Sequence, residues 1–161
     1  MAEIISINEL LKMKLDIPNY QRPYKWSIQN IEDLLNDITN AINDSNKFPA
    51  AFKYRIGTII VHKNEIGSYD IVDGQQRIIS LILLKYYLER DFSCRILEKE
   101  FTNKLTQTNI HTNYMFIREW FSLKDESIKN AFIKSFRDIL EVVLIFVEKL
   151  PEAFQLFDSH N

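Results

Sequence analysis

The chain has 161 residues, 46% apolar and 26% charged, with a net charge of −2. That length suits one domain with a sizeable core, and the even charge, without a basic tail or stripe, argues against strong nonspecific gripping of nucleic-acid phosphates. A single cysteine, Cys94, excludes an internal disulfide, and no apolar run approaches the roughly 20 residues that span a bilayer.

Residues 3–14 read as a short strand or turn followed by a short helix. In "LDIPNYQRPYKW", Pro18 and Pro23 forbid a helix and disfavour a central strand, leaving an extended, rigid stretch. Ser27 has the character of an N-cap, with Trp26 and Ile31 at hydrophobic-staple spacing. Apolar residues from Ile28 to Ile42 recur at helical spacing and predict a helix over 28–43. "YRIGTIIVHK" and "SYDIVD" are β-branched, alternating runs joined by "NEIG", the pattern of a β-hairpin.

The segment 74–90 follows as a helix apolar on nearly every side, which marks it as the buried central one. Weaker helices are predicted at about 95–104, 112–121 and 126–136. A strand, "DILEVVLIFVEK", comes next, and then a helix from Pro151, where proline is best tolerated. The sum is an α+β domain: a small sheet with a hairpin leading into a buried central helix, followed by a helical half. The C-terminal helix reaches Asn161 without a capping glycine or trailing loop, so residues 1–161 are expected to be an N-terminal fragment of a longer protein.

The junction "YDIVDGQQR" concentrates the chemistry. Asp73 and Gln76 stand at capping-box spacing, and on that account the segment merely starts a helix. Capping has no use for Gly74, which weakens a first helical turn but lets something approach the backbone closely. A helix N-terminus offers unpaired amides and partial positive charge suited to a phosphate. Arg77 in the first turn runs against the helix dipole unless it meets an anion. Gln75 and Gln76 would add neutral donors, and Asp73 would hold a divalent metal through water or position an attacking water. The spacing is neither a Walker loop nor a dinucleotide-binding fingerprint.

In "IPNYQRPYKW", Gln21 and Arg22 sit among Tyr20, Pro23, Tyr24 and Trp26. The aromatics serve equally as core or as a surface that stacks a base beside a phosphate-gripping guanidinium. Both readings stay open. Gly57 within a strand pattern indicates a bulge or a close backbone approach, for which packing against the central helix is the simpler cause. His62, His111 and His160 are too scattered for a zinc site.

Together, "IPNYQRPYKW", "IVDGQQR", "TNYMF" and the terminal "FQLFDSHN" resemble, in order and spacing, the DGQQR-containing N-terminal domain of GmrSD-type, type IV restriction proteins, which is similar to the ParB/sulfiredoxin fold. The resemblance implies a domain that binds a nucleoside triphosphate with Mg²⁺, whether or not it also hydrolyses it, in a restriction system directed at modified or foreign DNA. It carries the phosphate and hydrolysis motif onto Asp73, Gly74, Gln75, Gln76 and Arg77, with Gln21 and Arg22 approaching from the N-terminal segment. A tyrosine (Tyr20 or Tyr24) or Trp26 would flank the base, and His160 and Asn161 would begin a third motif. It further implies cytoplasmic action on DNA through the full-length protein, with an HNH-type nuclease domain in the same or a partner chain. No HNH-like pattern occurs in this sequence, so cleavage by this piece alone is not expected. A DNA-recognition module without nucleotide dependence and a protein-interaction domain are the rival readings.

Overall fold

Alternation in the strands and an all-round apolar helix dictate a layered arrangement. The computed structural model, which describes residues 1–18, 22–48 and 52–149, has that arrangement. In chain order it runs β1 (Ala2–Ser6), α1 (Ile7–Lys12), β2 (Leu15–Asp16), α2 (Ile28–Lys47), β3 (Tyr54–Lys63), β4 (Tyr69–Asp73), α3 (Gln75–Leu88), α4 (Arg95–Glu98), α5 (Lys104–Ser122), α6 (Glu126–Asp138) and β5 (Leu140–Val147). The fold is α+β, as the sequence predicts. The five strands form one sheet in the order β1-β5-β3-β4-β2. β3 and β4 are the predicted antiparallel hairpin. β5 enters between β1 and β3, antiparallel to the first and parallel to the second.

Strand alternation divides the sheet's apolar residues between its faces. Ile59, Val61, Ile71, Val142 and Leu144 join the main core with α1, α2, α3, α5 and α6, while Ile60, Val72 and Val147 form a small cluster of their own. Every residue of α3 from Ile78 to Leu84 is buried. Its β-branched isoleucines cost a few tenths of a kcal/mol each in helix propensity, whereas burying each contributes on the order of 2 kcal/mol. Packing, not propensity, makes this helix.

The described boundaries correct several expectations. α2 runs to Lys47, beyond the predicted end at 43, and is closed at its start by a reciprocal capping box between Ser27 and Asn30. The helix predicted at 95–104 shrinks to the four residues of α4, and α5 begins at Lys104, not at 112. α3 starts at Gln75, with Gly74 as its N-cap. The helix predicted from Pro151 lies outside the described residues, as do Tyr20, Gln21, His160 and Asn161.

Candidate functional site

The site is made by how β4 hands the chain to α3. Asp73 still belongs to β4, paired in register with Ile60. It is therefore not the N-cap, and the capping box expected between Asp73 and Gln76 does not form. Gly74 takes that place with φ +99° and ψ 11°, and no side chain caps the helix. A side chain at Gly74 would be strained there, and its Cβ would lie 2.4 Å from Ile59 Cδ1 and 3.5 Å from the Thr58 carbonyl oxygen. The room that Gly74 leaves is thus filled by the chain's own β3. The first turn of α3, whose amides have no partner within the helix, lines a cleft of about 490 Å³.

That cleft is lined by Gly74–Arg77 and Asp73 together with Arg22, Pro23, Lys25 and Trp26 from the extended segment and Thr58 from β3. Its ionisable lining is three cations, Arg22, Lys25 and Arg77, against one acid, Asp73. The positive end of α3 adds to this bias, so the cleft favours an anion.

Arg77 donates from Nη1 to the Ile56 carbonyl at 2.8 Å. Its Nε is buried and finds no acceptor among the described residues. Gly57 makes this position possible, since a Cβ there would sit 2.1 Å from Nη1. The ladder between β3 and β5 also shifts register between Arg55 and Gly57. The close approach expected at Gly57 is therefore present, and it comes from the central helix, through Arg77.

The two glutamines lie differently from expectation. Gln75 is only 7% exposed, and its Nε2 donates to the Ile71 carbonyl at 3.0 Å. Gln76 donates to the Pro23 carbonyl at 3.1 Å and accepts from the Lys25 amide at 2.7 Å, tying one wall of the cleft to the other. Their amide groups hold the chain together and do not project as free donors.

Tyr24 departs furthest from expectation. It is 1% exposed, with its hydroxyl against Ser80 Oγ at 2.7 Å and Asn113 Nδ2 at 3.0 Å. Burial pushes its pKa above the usual tyrosine value despite those two bonds, so it stays neutral at physiological pH. A ring so enclosed cannot flank a base, and Tyr24 belongs to the core. Trp26 is half-buried, packs on the core that contains Ile31 and lines the cleft.

The structure thus brings Arg22, Trp26, Asp73, Gly74, Gln75, Gln76 and Arg77 to one place. It adds Lys25 and Thr58, which sequence reasoning passed over. Lys25 lies inside the quoted aromatic stretch, and its charge was the available signal; Thr58 carried none. Among the described residues, no group of three His, Cys, Asp or Glu side chains is arranged to hold a metal ion. No described helix is long and apolar enough to cross a membrane.

No curated protein matches the chain. A family model, however, describes the N-terminal domain of the GmrSD restriction endonuclease and matches residues 7–161. With nearly the whole length matched, and both signature stretches meeting at one cleft, the chain belongs to the GmrSD restriction endonuclease N-terminal domain family.

Proposed function

We propose that the cleft at the start of α3 binds the phosphates of a nucleoside triphosphate, and that this binding regulates a restriction system acting on modified or foreign DNA. The observation that carries the reading is an uncapped, glycine-led helix N-terminus opening on a cation-lined cleft. Arg77 fits the role, because it lines the cleft from the first turn of α3, where a cation runs against the helix dipole unless it meets an anion. Arg22 and Lys25 would balance further phosphate charge from the opposite wall, and Trp26, which lines the cleft, would lie beside a base.

A magnesium ion would fit only as part of a nucleotide complex. Among the described residues the cleft offers it one carboxylate, Asp73, and this hard cation takes its other oxygens from phosphates and water. Bound magnesium would neutralise phosphate charge. Asp73 would hold it through water or orient an attacking water. With Gln75 and Gln76 engaged by the chain itself, binding is better supported than hydrolysis. In this reading the domain acts on DNA through the full-length protein, with cleavage assigned to an HNH-type nuclease domain in the same or a partner chain. The lone cysteine fits a cytoplasmic setting.

Calorimetric titration with ATP, GTP, CTP and UTP, each with Mg²⁺, tests the proposal on wild type and Arg77→Ala. At least one nucleotide binds wild type, and Arg77→Ala weakens it by about tenfold or more, the effect of losing a charge-assisted hydrogen bond. No binding by wild type, or equal binding by the variant, refutes it. Nucleotide-independent DNA binding that falls steeply with salt would favour the DNA-recognition reading.

A further inference from the structure

Residues 22–27 form neither helix nor strand, so their backbone groups need partners from outside the segment. Gln76 supplies two of them, to the Pro23 carbonyl and the Lys25 amide. Asn30 and Ile31 of α2 take the Ser27 amide and carbonyl, and three further bonds come from one face of α5. Thr106 Oγ1 accepts from the Tyr24 amide at 3.0 Å, Asn109 Nδ2 donates to the Tyr24 carbonyl at 2.9 Å, and Asn113 Nδ2 donates to the Trp26 carbonyl at 2.8 Å. Spacings of three and four residues put these side chains on one stripe of the helix.

None of the three lines the cleft. Thr106 and Asn113 are nonetheless 3% and 1% exposed, and buried polar groups of this kind are costly unless bonded. The network continues to the opposite wall. Tyr24 Oη meets Ser80 Oγ, which donates to the Gln76 carbonyl at 2.8 Å within the first turns of α3. One set of buried bonds therefore fixes both the segment bearing Lys25 and Trp26 and the helix start bearing Arg77.

We propose that Thr106, Asn109 and Asn113 are positioning residues of the cleft. They set the spacing between its two walls, and so its affinity for a polyphosphate, without touching the ligand; this rests on the cleft reading above. A merely structural stripe would change overall stability when altered. A positioning stripe changes the placement of Trp26 and the affinity while the rest of the fold is untouched.

The test uses the full chain labelled with 5-fluorotryptophan, which gives one ¹⁹F resonance each for Trp26 and Trp120. Thr106→Val keeps the shape and removes the acceptor, whereas Thr106→Ser keeps the acceptor. Asn109→Ala removes a side chain at a half-buried position. In Thr106→Val and Asn109→Ala the Trp26 line shifts or broadens while the Trp120 line stays, and inorganic triphosphate binds about fivefold more weakly. Thr106→Ser behaves as wild type. A Trp26 line unmoved in both variants, or moved with unchanged triphosphate affinity, overturns the proposal. Failure of wild type to bind triphosphate overturns it together with the cleft reading, and is distinguished by appearing before any substitution is made.

Discussion

At Gly74 a positive φ and the side chain of Ile59 leave no place for a Cβ, while at Gly57 the only obstacle is the tip of Arg77. This difference separates the effects of two otherwise identical substitutions. Gly74→Ala forces an L-residue into a backbone region it rarely adopts and should cost about 1–3 kcal/mol in urea unfolding. Gly57→Ala asks only that a flexible guanidinium swing off the Ile56 carbonyl, a loss of about 1.5 kcal/mol with no backbone strain added. Its larger effect should be on ligand binding, with nucleotide affinity in calorimetry falling as in Arg77→Ala although the charge is retained. Unchanged affinity in Gly57→Ala would show that the guanidinium need not lie where the structure puts it. Both glycines are conspicuous in the sequence, yet only Gly57 is correctly explained there. Room for a ligand and room for Ile59 leave the same trace at Gly74, and a one-dimensional pattern cannot separate them. Capping-box spacing misleads similarly at Asp73, because its pairing with Ile60 extends β4 by the residue that would otherwise have become the cap.

α5 is the element least legible in the sequence. Its C-terminal half, with the buried Ile117 and Phe121, shows apolar periodicity and is predicted. Its N-terminal half packs on the core through Ile110 but is otherwise held by Thr106 and Asn109, whose partners are backbone groups of Tyr24, and hydropathy does not register a hydrogen-bonding face. The overlooked start does have a local signal in Asn103, whose side-chain oxygen accepts from the Thr106 amide at 3.0 Å. Asn103→Ala should therefore cost about 1 kcal/mol, and Asn103→Asp, which retains the acceptor and adds charge favourable to the helix dipole, should cost nothing. Thermal or urea unfolding of the two variants checks this. Equal losses in both would mean that the helix does not begin where the structure places it. α2 is the converse case: the strong periodicity of Ile31, Leu34, Leu35 and Ile38 locates it, but the polar tail "NDSNK" reads as loop although it completes the helix.

For the molecule as a whole, the decisive feature is the entry of β5 between β1 and β3. The hairpin of β3 and β4 is local and legible, and so is β5 as a strand. Its partners are not, since pairing the chain's last described strand with its first is a matter of topology that alternation alone does not specify. The consequence is mechanical unity. Leu144 is fully buried and stands opposite Glu3 of β1 and Ile59 of β3, the strand against which Gly74 packs. Leu144→Ala should destabilise the protein by about 2–5 kcal/mol, as do comparable core truncations. The loss should appear as one earlier transition, with far-UV circular dichroism and the fluorescence of Trp26 and Trp120 changing together. Trp26 belongs to the cleft wall, and Trp120 packs among Phe121 and Phe132 on α5 and α6. Coincident curves would tie the sheet, the cleft and the helical half into one cooperative unit, so that anything bound at the start of α3 stabilises all of it. Transitions that separate would instead make the helical half an independent body, and the clamp from α5 could not then hold the cleft in shape.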